Sequence, residues 1–244
     1  MREAEESGSC AAGRAGCFAD EASSGPGRVA KAIYAGTSPS PGVTLPGVAA
    51  PTRDEAWHLF CEWTESASLR KHVLGVEAGM VAYARRYDED EELWAATGIL
   101  HDLDYEKYPD LETGHPRIAL ELFEEKGYPR EMIDAVAGHA DRLGVTRETR
   151  MAKALYAVDE LSGFVAACAM VRPTGIEGMT PKSVKKKLKT PAFAAAVDRE
   201  EVRRSAEDLG EDFDEHLRIV IAAMEERAGE LGLEGSDQTA EKRA

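Results

Sequence analysis

The stretch KALYAVDELSGFVAACAMV, residues 153–171, is apolar on nearly every side when wound as a helix, yet it carries Asp159 near its middle. Its length and its alanine and leucine content predict a buried helix rather than a strand. An unpaired carboxylate in such a helix costs several kcal/mol by desolvation. No lysine or arginine lies one turn away on its face, so Asp159 requires a cation from elsewhere. Glu160 points about 100° further round, toward the wetter side.

Helical signals continue outward from this segment. Thr52 with Glu55 reads as a capping box opening a helix through about Ser66, and Ser68 as the cap of the next, through about Tyr87. A third helix is expected over Glu89 to Leu100, a short one ends at Gly127, and Pro129 opens another. The long apolar pattern runs from about Thr146 to Val171. Thr180-Pro181 and Thr190-Pro191 are cap-plus-first-turn signatures, and Asp198 with Glu201 is a further capping box. A last amphipathic helix covers Glu211 to Ala228, and no run of alternating polarity bounded by turn residues competes as a strand. The expectation is an all-α domain over residues 51–230, with eight or nine helices. Residues 1–50, rich in Gly, Ala, Ser and Pro, read as a disordered extension, and 231–244 as a flexible tail.

The histidines join Asp159 on core-facing stripes. His72 precedes Val73, Val76 and Met80; His101 follows Trp94 and Thr97; His115 precedes Ile118, Ala119 and Leu122; His139 follows Met132, Ala135 and Val136. His58 reads as a surface residue and His216 as ambiguous. Asp102 adjoins His101 at a helix end, where neighbouring side chains can turn toward one point. Four imidazoles and two carboxylates on separate helices are satisfied together by one or two divalent cations. Nitrogen and oxygen donors without thiolate suit Mn, Fe, Co, Ni or Zn, with Mg retained as a candidate.

Composition bounds the rest. The net charge of -15 argues against wrapping a nucleic-acid backbone or binding an anionic membrane. No apolar run reaches the roughly 20 residues of a membrane span, and MREAEESGSC lacks a secretory pattern, so a cytoplasmic protein is expected. Cys10, Cys17, Cys61 and Cys168 show no metal-type spacing. Nothing in the pattern fixes an oligomeric state.

In chain order the set runs His72, His101-Asp102, His115, His139, Asp159. This order resembles the HD-domain superfamily of metal-dependent phosphohydrolases, over about Thr52 to Val171. The resemblance implies a helical bundle with a metal site at its centre. His72, His101, Asp102 and Asp159 match the pattern common to the superfamily. His115 and His139 match the subset that holds two metals with the first aspartate, here Asp102, as a bridge. The string KALYAVDELSGFVAACAMVRP with the later SVKKKLK is similar to a group of bacterial HD proteins described only as predicted hydrolases. Many HD proteins carry Ile-Gly after the pair, whereas Leu103-Asp104 follows here.

The expected chemistry is hydrolysis of a small phosphomonoester or phosphodiester, compatible with a nucleotide-like substrate, through a metal-activated water. Asp102 and Asp104 are the catalytic candidates, Asp104 as proton carrier and Lys107 as phosphate contact. Lys182, Lys185 and Lys186, in the dense basic run TPKSVKKKLKTP, are candidates to draw an anionic substrate to the site. Two alternatives stand beside hydrolysis. Some HD proteins with the same six ligands are mixed-valence di-iron oxygenases, and a metal-binding sensor or scaffold needs no catalysis.

Overall fold

The computed structural model describes residues 50–236. Residues 1–49 with Cys10 and Cys17, and residues 237–244, lie outside the described residues, and with them most of the expected extension and tail. Among the described residues ten α-helices follow one another: α1 (Arg53–Trp63), α2 (Ala67–Tyr87), α3 (Glu91–Leu100), α4 (Arg117–Lys126), α5 (Arg130–Gly138), α6 (Arg150–Met170), α7 (Pro181–Leu188), α8 (Arg199–Leu209), α9 (Phe213–Glu226) and α10 (Ala228–Leu231). Among the described residues the extended pairing is one isolated bridge, Gly175 with Glu234. The domain is all-α, as expected.

Most helix starts follow from short-range caps. Thr52 accepts from the Glu55 N–H at 3.2 Å while the Glu55 carboxylate accepts from the Thr52 N–H at 2.8 Å, the reciprocal box read from the sequence. Asp198 accepts from the N–H groups of Glu200 and Glu201 and opens α8. Thr180 caps α7 with Pro181 in its first turn.

Three boundaries differ from expectation. Ser66 rather than Ser68 caps α2, accepting from the Leu69 N–H, because the Glu106 carboxylate takes the N–H groups of Glu65 and Ser66 at 3.0 and 2.9 Å and pins the chain two residues earlier. Thr190-Pro191 opens no α-helix among the described residues: Ala194 has φ of 44°, which breaks the right-handed path, and Phe193 turns inward against Phe164. The helical packing also runs past residue 230, where the flexible tail was expected to begin. Leu231 and Leu233 are buried, and Ile176 donates its N–H to the Leu233 carbonyl at 2.9 Å.

The two longest helices, α2 and α6, pack on one another and carry the centre of the core. Gly79 permits their approach: a Cβ added there would sit 2.5 Å from Cγ1 of Val158, the residue beside Asp159. Helix α3 lies along α2, α5 and α8 along α6, and α9 closes against α2. No described helix is long and apolar enough to cross a membrane.

Candidate metal centre

Four helices and the turn before a fifth deliver six side chains to one point. His72 comes from α2 and Asp159 from the middle of α6. His101 and His139 are the C-cap residues of α3 and α5, and His115 stands just before α4. Helix ends matter here because the last turn leaves carbonyls without intrahelical partners. The Nδ1–H of His101 donates to the Gly98 carbonyl at 2.8 Å, and that of His139 to the Val136 carbonyl at 2.6 Å. Each bond fixes the tautomer and leaves Nε2 as a lone-pair donor facing inward.

His115 reaches the same state by another route. Its Nδ1–H donates to Oδ1 of Asp104 at 2.8 Å, while Oδ2 of Asp104 accepts from the Ala119 N–H in the first turn of α4, also at 2.8 Å. Asp104 is fully buried. It therefore does not leave toward solvent as a proton carrier, and its catalytic assignment is corrected: both its oxygens are engaged, and it positions His115. The chain reverses between the two at Gly114, where an added Cβ would lie 2.3 Å from the Tyr108 carbonyl oxygen and 2.8 Å from that of Asp110. Only glycine fits this close approach.

The resulting geometry collects electron pairs. Nε2 of His115 and Nε2 of His139 face each other at 3.1 Å although both rings already spend their Nδ1–H elsewhere. Nε2 of His101 is buried with no hydrogen-bond partner. Asp102 divides its carboxylate between the imidazoles: Oδ2 lies 3.7 Å from His72 and 3.5 Å from His101, and Oδ1 lies 3.4 Å from His115 and 3.8 Å from His139. Asp159 adds Oδ1 at 3.0 Å from His72 and 3.5 Å from His101. Two groups of donor atoms close enough to share an ion emerge, His72 with His101 and Asp102, and Asp102 with His115 and His139.

The electrostatics demand positive charge at this point. Burial opposes ionisation of His101, yet Asp102 and Asp159 outweigh it and raise its pKa to about 9. Burial, with the neighbouring His101 and His115, lowers His139 to about 4. Burial works against the Asp159 carboxylate, but His101 and His72 hold its pKa well below the usual range. A divalent cation in place of that proton satisfies the carboxylates and the inward lone pairs together. The donor set therefore fits a metal.

Access lies on the side of His72 and Asp159, whose side chains are 25% and 21% exposed, while His101, His115 and His139 are buried. A cavity of about 320 Å³ opens beside His72, walled also by Gly75, Gly163, Ala166, Met224 and Leu233. A wider depression on Ser68, Tyr105, Glu106 and Pro109 shares the His72 wall. The Tyr105 ring meets His115 edge-on at 5.2 Å.

The lysine candidates fall elsewhere. Lys107 lies over the Trp63 ring at 4.6 Å and donates to the Glu62 carbonyl. Lys185 pairs with Asp214, Lys182 is exposed, and Lys186 lines a separate cavity with Cys168, which lies nine residues beyond Asp159 on α6, about 13.5 Å along the axis. Lys182, Lys185 and Lys186 are thereby corrected as substrate contacts at the metal centre, because the charged run packs at the far end of α6, and Lys107 is engaged at Trp63 and Glu62 instead. His58 bonds the Asp54 carbonyl at the surface, as expected. The ambiguous His216 is a core residue, accepting from the Tyr83 hydroxyl and donating to the Ala157 carbonyl. Glu160 is half-buried, and burial and Asp159 push its pKa up to about 7.

No curated protein and no solved structure matches the chain. The HD domain family model matches residues 69–163, a span that holds all six side chains from His72 to Asp159. That match places residues 69–163 in the HD-domain superfamily, whose members are typically metal-dependent phosphohydrolases and generally bind divalent metals.

Proposed function

We propose that the chain hydrolyses a small phosphomonoester or phosphodiester and holds two divalent ions, one among His72, His101, Asp102 and Asp159, the other among Asp102, His115 and His139. The division of the Asp102 carboxylate carries this reading: each oxygen faces its own pair of imidazoles, as a bridging ligand requires. Divalent metal held there lowers the pKa of bound water toward neutrality and neutralises phosphate oxygens.

The chain's own residues supply position and access. His72 and Asp159, at the open edge, hold the side of the centre that meets a substrate. His101 and His139 are locked by backbone carbonyls, and His115 by Asp104, so little reorganisation accompanies binding. The cavity beside His72 presents mostly apolar walls to the organic part of the ester. In a chain of net charge -15 the local attraction for an anion comes from the metal centre itself.

The test begins with metal content after purification without chelator, followed by a phosphoester panel with Mn, Co, Ni and Mg. Phosphate release that disappears in Asp102→Ala, with helix content unchanged by circular dichroism, supports the reading. Full release by Asp102→Ala overturns it. A paramagnetic mixed-valence iron signal with oxygen-dependent turnover and no phosphate release would replace hydrolysis by the oxygenase chemistry.

A further inference from the structure

The basic run that misses the metal centre builds a site of its own. A cavity of about 380 Å³ lies between the end of α6 and helix α7, lined by Cys168, Arg172, Ser183, Lys186, Lys187 and Thr190. Among the described residues three cations line it and no carboxylate does. Acids outnumber bases by 45 to 30 in this chain, and several cations elsewhere find acidic partners. Lys185 pairs with Asp214, Arg53 with Glu77, and Arg86 with Glu211. Arg172, by contrast, donates to neutral oxygens, the Thr174 hydroxyl and the Glu177 carbonyl. Lys187 lies over the Phe193 ring at 4.6 Å, and Lys186 makes no ion pair among the described residues. Cys168, buried near the end of α6, lines the cavity together with Arg172 and Lys187.

We propose that this cavity is a second ligand site, separate from the metal centre, for a small phosphorylated anion. Its size falls within the range of small-molecule pockets. A guanidinium, two ammonium groups and the Thr190 hydroxyl offer more donors than one carboxylate can accept, and match the several oxygens of a phosphate or diphosphate. The small volume favours a free metabolite over an acidic protein segment. This site does not depend on hydrolysis at the metal centre.

Calorimetric titration of the full chain with inorganic pyrophosphate, and with inorganic phosphate and acetate beside it, tests the proposal. Pyrophosphate is expected to bind Asp102→Ala, in which the metal centre is disabled, more tightly than acetate does, and more weakly as salt rises. The double variant Lys186→Ala/Lys187→Ala should lose about tenfold or more in affinity, and Lys186→Glu should lose affinity alone, with thermal melts showing both folded. Lys185→Ala, whose ammonium is already paired, should bind as wild type. Unchanged affinity in the double variant, equal binding of acetate, or loss of binding in Asp102→Ala would each overturn the assignment, the last by locating the anion at the metal centre. Because Asp102→Ala removes the hydrolytic centre and spares this cavity, failure of either reading leaves the other distinguishable.

Discussion

Replacing Asp104 by alanine should unseat one half of the metal centre and leave the other. The carboxylate is fully buried and accepts two N–H groups at 2.8 Å, one from His115 and one from Ala119. A hydrogen bond to a charged group is worth about 1.5–3 kcal/mol, and the substitution strands two buried donors. Removal of the buried negative charge offsets part of this, so the expected loss of stability is about 3 kcal/mol. The larger consequence is for His115, whose ring loses both its tautomer lock and its orientation. Removal of such a partner typically costs 10–100-fold in metal affinity, or about 1.4–2.8 kcal/mol.

The effect should be confined to the ion shared by Asp102, His115 and His139. The Asp104 carboxylate is bonded to His115 and Ala119 and not to His72, His101 or Asp159, so the other ion should keep its affinity. Competition with a chelating dye, with elemental analysis after dialysis, would read a fall from two ions to one per chain, and a urea midpoint would read stability. Asp104→Asn keeps the shape and one acceptor, so one of the two N–H groups stays satisfied and the loss should be about half as large. If Asp104→Ala retained both ions at wild-type affinity, or lost both to the same degree, the positioning role would be refuted.

Glu77 is buried between Arg53 and Arg227, with contacts of 2.9 Å to each, so Glu77→Ala should destabilise by about 3 kcal/mol in urea without changing metal content, since both arginines retain some solvent. Gly114→Ala forces a Cβ against two carbonyl oxygens and should cost about 2 kcal/mol together with the ion held by His115, read by elemental analysis. Burial lowers His216 from 6.5 to about 4, so the unfolded chain binds this proton first: its contribution to stability is intact above pH 6.5 and is lost as pH falls toward 4, by about 3 kcal/mol in all. Urea unfolding from pH 7.5 to 4.5 should show that slope in wild type and a slope smaller by about one proton in His216→Asn; identical slopes would refute the linkage.

The differences between what the residues announce and what the fold does follow interaction range. Thr52 with Glu55, and Asp198 with the N–H groups of Glu200 and Glu201, act within a single turn, so both caps are readable as spacing. Ser66 takes the cap from Ser68 through Glu106, 40 residues away, and no local pattern encodes that partner. Thr190-Pro191 carries the same local signal as Thr180-Pro181, but Ala194 adopts the left-handed region while Phe193 packs on Phe164, and tertiary contact outweighs propensity. Charge density likewise reports no location: the lysines of α7 are as basic as the sequence promises and sit at the wrong end of α6.

The cluster of candidate ligands is legible for a different reason. A polar group on an apolar helical face must have a partner, and six such groups on separate elements share that need wherever they meet. This argument finds the six side chains that the fold brings together, since their demand is visible in each residue alone. It does not find Asp104, whose neighbours in sequence are the exposed charges Glu106 and Lys107 and whose burial appears only once the chain has turned back at Gly114. The same reversal converts a histidine that could carry its proton on either nitrogen into one committed to offering Nε2. With His101 and His139 committed by their own helix ends, three lone pairs converge beside two carboxylates, and the arrangement is stable only with cationic charge among them.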